Sequence, residues 1–400
     1  MLVLTATAGF VGWFGVSDLA EALTYVGRFT GAVFVIACAV LLVGAVASLD
    51  HWFKQSFQFS GPATLIGTCA AVAVNAMLFI TALRDGDRRE YVFYWLVLLA
   101  ASLWAVYAVY RTRLSAFGPG RLTLALVISS GLAVANFGYA QLYLPYAKSV
   151  NPMLEVSFGT PVLNSKSDTA ALPVGVKFTN RSSVGLYILG AEYMVLGRKA
   201  IVSPAGRPPS EWRTDVIEGH EIARNTAIHG YDVIQKSRWY TPFGHPVEGG
   251  QEYSTNQIVQ LPLRMAYDEL LLKATVVLVR KDRLVLDHDY GPAKEYSWDR
   301  SNKPKPRSIA GMDYVKYQGR VHENNSIAEH IRHRRYVTVW WIVNGPAGSD
   351  PFVSTISRAG KEGRDTSPVE ERRNESRYGL VTEQTGWLEK PLWGLSPAGH

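Results

Sequence analysis

Four uncharged runs of apolar residues constrain this chain more than anything else in it: Phe29–Leu49, Pro62–Leu83, Tyr91–Tyr110 and Leu122–Leu144. A helix needs ~20 apolar residues to cross a ~30 Å hydrocarbon layer, and a soluble core helix rarely needs so many without a charge. Each run therefore reads as a transmembrane helix. Pro62 suits a first helical turn. Tyrosines close both ends of Tyr91–Tyr110, as expected of rings at headgroup level. Pro145 stops the last run, with Lys148 just beyond.

The connections agree. Residues 51–61, 84–90 and 111–121 are short and polar, so neighbouring spans run antiparallel in an up-down bundle. Charge divides the chain in the same way. The first 150 residues hold nine of the 41 Lys and Arg and six of the 34 Asp and Glu; the rest has the charge density of a soluble domain. Residues 1–17 are uncharged and contain Trp13 and Phe14, but Asp18 and Glu21 follow at once. They lack the cationic start of a secretory signal. An interfacial or re-entrant segment over 1–22 is expected, with a fifth span as the alternative.

Orientation follows from Lys and Arg in short loops. Lys54, Arg111, Arg113 and Arg121 lie on one side, against Arg84, Arg88, Arg89 and Lys148 on the other. The 111–121 loop has no acid to offset its arginines, which favours that loop inside and the C-terminal domain outside. No ionisable residue interrupts the four runs, so a transport pathway is disfavoured. Asn75 and Asn136 are the intramembrane polar candidates, suited to hydrogen bonds across helices. Gly27–Gly31 and Gly131–Ala135 suit close-packing seams, which leaves room for a homo-oligomer through the bundle.

After residue 150 the periodicity changes to that of strands. Leu172–Thr179, a polar turn at Asn180–Ser183, and Val184–Leu196 read as a hairpin. Leu270–Arg280, a turn at Lys281–Arg283, and Leu284–Leu286 read as a second. Tyr336–Val343 is the strongest β run. Short helices are expected from Ser326 through Arg335, opened by a capping box, and from Asp350–Pro351 to Gly360. Gly360–Arg377 reads as an exposed loop. The expected architecture is an α-helical transmembrane bundle plus a mainly-β soluble domain. Its parts are a four-helix domain over 23–148, an antiparallel β-sandwich over 151–290, a loop or subdomain boundary over 291–310, and an α+β portion over 311–400 packed on the sandwich.

Few residues suggest chemistry. His330 and His333 lie three apart on the expected helix, a spacing that metal ligands use, but three arginines crowd them and an exposed basic face is the simpler reading. Asp287, His288 and Asp289 make a polar turn that could offer oxygens to a hard cation, though the spacing fits no calcium loop. There is no nucleophile elbow, no phosphate-cradling glycine loop, and no cysteine outside the apolar runs, where Cys38 and Cys69 lie. Trp340 and Trp341 are candidate aromatic-binding residues; adjacent in a strand, they must face opposite sides. Trp387 and Trp393 could stack on sugars or headgroups. Asn180, Asn324 and Asn374 fit the glycosylation pattern.

The net charge of +7 without a long basic run argues against nucleic acid as a partner. The expectation is a non-catalytic, multi-pass cell-membrane protein without a cofactor, in which the bilayer holds the helices and the β-domain binds a protein or envelope component. The alternatives are a tethered hydrolase drawing on Asp287, His288, His330 and His333, and an accessory subunit of a transporter or channel.

Overall fold

The computed structural model describes residues 1–22, 25–54, 57, 59–111, 150–164, 169–202, 206–218, 226–228, 231–262, 267–299, 305–346, 349–362 and 368–392. The expected span Leu122–Leu144, with Asn136 and the Gly131–Ala135 seam, lies outside them, as does Trp393. The chain forms two compact units: the described residues of 1–149 with Asp282–Val285 and Val321–Arg335, and the remainder.

The first unit is built on α1 (Leu2–Glu21), α2 (Tyr25–Leu49), α3 (Ser60–Asp85) and α4 (Arg89–Arg111), all long and apolar enough to cross a membrane. The segment expected to lie at the interface or re-enter is a continuous helix. Its 20 residues rise ~30 Å, the thickness of a hydrocarbon layer. Ala22, in an extended conformation, ends it.

Glycines set how closely the helices approach. A Cβ on Gly31 of α2 would stand 2.6 Å from the Leu19 nitrogen and 2.8 Å from the Gly15 oxygen of α1. Gly44 and Gly67 make a similar contact between α2 and α3, where a Cβ on either would lie 2.8 Å from the other's Cα. Inside, Leu4, Ala8, Leu41, Ala45 and Ala71 form one apolar cluster. Val11, Phe14, Phe34, Leu78 and Trp95 form another, joined by Ile327 and Ile331 from the Val321–Arg335 segment. Asn75, fully buried, donates to Thr7 Oγ1 at 3.1 Å and to the Leu98 carbonyl at 3.4 Å, so α3 is tied to α1 and α4. Outward positions are apolar as well: Ile36, Val43 and Val46 are 64%, 62% and 68% exposed, where a water-soluble bundle would carry charge.

The second unit is rich in antiparallel sheet. Its early strands are β1 (Pro152–Phe158), β2 (Val162–Asn164), β3 (Thr169–Asn180), β4 (Leu186–Arg198), β5 (Ala200–Val202), β6 (Thr226–Ile228), β7 (Asp232–Arg238), β8 (Pro246–Val247) and β9 (Glu252–Pro262). Then come β10 (Glu269–Arg280), β11 (Leu284–Leu286), β12 (Glu295–Tyr296), β13 (Tyr314–Glu323), β14 (Arg335–Ile342), β15 (Phe352–Arg358), β16 (Val381–Gln384) and β17 (Leu388–Pro391). Helix α5 (Pro209–Glu218) lies between β5 and β6 and α7 (Pro368–Tyr378) between β15 and β16; α6 (Ser326–Ile331), between β13 and β14 in the chain, belongs to the first unit.

The first sheet joins β1, β2 and β9 to β3. The second runs β16-β10-β4-β7, with β17 on β10 and β8 on β4, and the third runs β11-β13-β14-β15, with β12 on β13. β3 alternates, burying Leu172, Val174, Val176 and Phe178 and leaving its odd-numbered positions half exposed. β4 is buried at every position from Leu186 to Gly197, as a strand covered on both faces must be. Gly190 of β4 lies against Phe352 of the third sheet, and Phe178 of the first packs on Trp239 at 6.3 Å.

Several expectations are corrected. β3 and β4 do not pair as a hairpin but lie in different sheets. Buried Asn180 diverts the chain: its Nδ2 donates to the Val184 and Val247 carbonyls at 2.8 and 2.9 Å, taking the place of hairpin hydrogen bonds. Nor does β11 pair with β10; it joins β13. The helix expected from Asp350 is strand β15, because the β-branched and aromatic run Phe352–Ile356 outweighs the helix-start signal before it. Conversely, 368–378 is a helix rather than a loop, opened by Pro368 and filled with Glu and Arg. α6 stops at Ile331, short of Arg335, and its cap is Asn325, whose Oδ1 accepts from the Ala328 N–H at 2.8 Å.

Candidate functional site

In the first unit, the His330 motif does not form an exposed basic face. His330 is half-buried, with Nδ1 2.7 Å from the Ser326 carbonyl and its ring edge-on to Phe14 at 5.5 Å. His333 lies beyond the end of α6, exposed. Of the three arginines only Arg334 is exposed. Arg332 bonds Asp85 at 3.0 Å and Glu323 at 2.6 Å, and Arg335 pairs with Asp87. At the other end of α6, Ser326 donates to Asp18 Oδ1 from its backbone N–H and its hydroxyl, at 2.7 and 2.6 Å. The Asp87 and Arg88 N–H groups both donate to the Ile331 carbonyl. The Val321–Arg335 segment is thus fixed to the ends of α1, α3 and α4 by buried ion pairs and capping hydrogen bonds. Beside it an apolar cavity of about 420 Å³ opens between α1 and α4, lined by Gly9, Phe10, Trp13, Tyr91 and His330.

In the second unit, Asp287–Asp289 is a turn after β11. His288 and Asp289 are exposed, and Asp289 is paired with Lys294 at 2.8 Å, a hydrogen bond that holds its carboxyl below the usual range. Among the described residues no group of three or more His, Cys, Asp or Glu could hold a metal ion.

Trp340 is fully buried with Ile309, Tyr314 and Ile342. Trp341 faces the other way and meets a polar cluster absent from any sequence motif. Its Nε1 donates to Glu192, a fully buried carboxylate in the middle of β4. Lys236 stands 3.5 Å from the same oxygen and donates to the Ile342 carbonyl at 2.5 Å. Arg238, in register with Glu192, lies over the Trp341 ring at 5.5 Å and donates to Tyr317 Oη at 3.2 Å. Burial pushes the Glu192 carboxyl up to about 7, against the pull of Lys236 and the Trp341 hydrogen bond. A lone acid inside a long apolar strand is the one sequence signal that marks it.

A second open feature is a groove of about 740 Å³. Its floor is the outer face of the first sheet, where two rows of side chains cross three strands: Ser157–Gly175–Asn256 and Glu155–Lys177–Ser254. Its wall is the segment 384–388 between β16 and β17, bearing Trp387. Trp387 is 38% exposed, with the Lys273 ammonium 5.5 Å from its ring. Gly175 keeps the floor flat, since a Cβ there would stand 2.6 Å from Ser157 Oγ and 3.3 Å from Asn256 Oδ1. Trp387 stands out in the sequence; the floor emerges only once strand register places its residues side by side.

No protein-family model and no curated protein matches this sequence. Among solved structures, the protein assigned as ApaA from Bordetella pertussis is 11% identical, with 33% of this chain and 82% of that one covered and a TM-score of 0.18. The sporulation control protein Spo0M from Bacillus subtilis is 9% identical, with 56% of this chain and 94% of that one covered, also at 0.18. At these scores the likeness bears on neither fold nor function.

Proposed function

We propose that this is a multi-pass membrane protein whose helices hold an extracytoplasmic, sandwich-like β-domain for binding a component of the cell envelope, without catalysis. The observation that carries the reading is the anchorage of Val321–Arg335: a segment of the C-terminal part is tied by Ser326, Arg332 and Arg335 to Asp18, Asp85 and Asp87. Such a set of buried pairs makes Val321–Arg335 part of the helical unit, so the chain returns to the helix ends after the first strands.

The anchorage also bears on topology. α4 starts at the end where Asp85 and Asp87 lie and carries the chain to the other end by Arg111. With these helices in a bilayer, the chain must cross an odd number of further times before Val321. Leu122–Leu144 is the only apolar run of sufficient length in that interval. With α1 read as a span as well, on its length and composition, this reading has five spans. The exposed aromatics Trp52, Phe53, Phe57 and Phe59 between α2 and α3 suit a headgroup layer at the opposite end. The acid-free arginines of 111–121 favour that end inside.

Cysteine accessibility tests the arrangement. In cells making a variant with Cys38 and Cys69 replaced, Lys361→Cys labels with a membrane-impermeant maleimide, whereas Ala116→Cys labels only after permeabilisation. The reverse pattern refutes the extracytoplasmic placement, and labelling of both in intact cells refutes the crossing count.

A further inference from the structure

The groove beside Trp387 has a chemistry narrower than that of a generic binding surface, and we propose that it is a saccharide site, taking a neutral oligosaccharide laid across β1, β3 and β9. The proposal rests on the binding role of the β-rich unit but not on its side of the membrane.

Three observations combine. The volume of about 740 Å³ falls in the ~300–1,000 Å³ range of small-ligand sites. The floor presents hydroxyl and amide groups from Ser157, Ser254 and Asn256, which donate and accept as ring hydroxyls require. Its two charges, Glu155 and Lys177, are opposite in sign and opposite each other in register, so the floor's own charges balance.

The third observation is geometric. Strands lie ~4.8 Å apart, close to the advance per unit of an extended β-linked glycan. The row Ser157–Gly175–Asn256 places its two polar side chains two strand spacings apart, about 10 Å, close to two units of such a chain. At the end of the floor, Trp387, with the Lys273 ammonium 5.5 Å from its ring, offers its exposed indole surface to the polarised C–H bonds of a pyranose. Gly175 adds no side chain to the middle of the row, and Ser157 Oγ and Asn256 Oδ1 close over the space its Cβ would fill. An extended peptide could instead add to the free edge of β1, but it would leave the floor residues of β9 two strands away from it.

The test uses the full chain in lipid nanodiscs, because glucoside and maltoside detergents carry competing sugars. Isothermal titration with cellotriose, maltotriose and N-acetylated chitotriose is expected to show binding of at least one. Trp387→Ala and Asn256→Ala are each expected to weaken it roughly tenfold or more, and Trp387→Phe to retain most of it. Trp298→Ala, exposed and outside the groove, leaves affinity unchanged. A thermal melt of each variant separates lost contacts from lost folding.

Absence of binding at 10-millimolar-scale sugar (roughly the weakest affinity calorimetry can see) overturns the proposal. So does binding indifferent to Trp387→Ala, or capture of extended peptides in place of sugars at this groove. None of these outcomes alters the labelling pattern that tests the membrane arrangement.

Discussion

Replacing Glu192 by Gln removes a buried charge while keeping an oxygen for the Trp341 Nε1–H to meet. Glu192 is 1% exposed, and its carboxyl stands at about 7 rather than the ordinary 4.5. At 1.36 kcal/mol per pH unit, holding it ionised in the folded chain costs about 3 kcal/mol. The sign follows from proton counts. Between pH 4.5 and about 7 the folded chain keeps a proton that the unfolded chain has released, so stability falls as pH rises through this window and is level above it. Glutamine mimics the protonated acid at every pH. For a unit of this size each kcal/mol moves the melting temperature by about 2–4 °C. Wild type and Glu192→Gln should therefore melt together near pH 4.5, and by pH 8 the variant should melt higher by roughly 6–12 °C. Thermal unfolding of the full chain in nanodiscs, followed by tryptophan emission from pH 4.5 to 8, reads this gap. Other titrating groups act on both proteins alike and cancel in the difference. A gap that does not widen with pH, or a variant that melts lower at pH 8, refutes the account of Glu192 as a buried acid held against its ionisation.

Gly31→Val should separate α1 from α2, because the new Cβ meets Leu19 and Gly15 backbone atoms that cannot rotate away. Its melting temperature should fall clearly below that of Gly9→Ala, which meets nothing within 4 Å, and equal values would refute close packing at this seam. Arg335→Ala removes the guanidinium paired with Asp87, whose side chain is only 6% exposed, and should cost about 3–5 kcal/mol. Protease cleavage within Val321–Arg335 should rise in that variant and return towards wild type when Asp87→Leu is added to Arg335→Leu; unchanged cleavage in Arg335→Ala would refute the anchorage.

What the sequence reveals here depends on the range of the interaction that decides each feature. The apolar helices are governed by local composition, and α2, α3 and α4 lie where uncharged runs place them, each a few residues longer because polar end residues complete the last turns. α1 is the informative exception. Its count of apolar residues before Asp18 is short, yet the helix continues through Asp18 to Glu21, with the Asp18 carboxylate held by Ser326, a partner 308 residues away. Strand positions are equally local: β1 and β3 follow their alternation closely, and β10 lies where its continuous apolar run places it. Strand partners are not. The turn at Asn180–Ser183 has hairpin composition, but the hydrogen bonds of Asn180 run to Val184 and Val247, and the chain passes between sheets.

The same distinction governs the candidate sites. Arg332 and Arg335 look like a solvated basic face because a sequence shows charges without their partners. Their acids, Asp85 and Asp87, sit nearly 250 residues earlier, in a loop where they appear only to offset neighbouring arginines. Once paired, the two clusters cease to be surface features and become the joint that fixes the Val321–Arg335 segment to the helix ends. Asp287, His288 and Asp289 stay together because adjacency in sequence brought them together. The groove residues come together only through register: Ser157, Gly175 and Asn256 are unremarkable singly, and pairing on adjacent strands turns one outward residue from each into a continuous polar row. Trp387 alone draws attention in the sequence, and its meaning depends on that row. A recognition surface assembled this way carries no motif, since its residues are brought together by register across three strands and not by spacing along the chain.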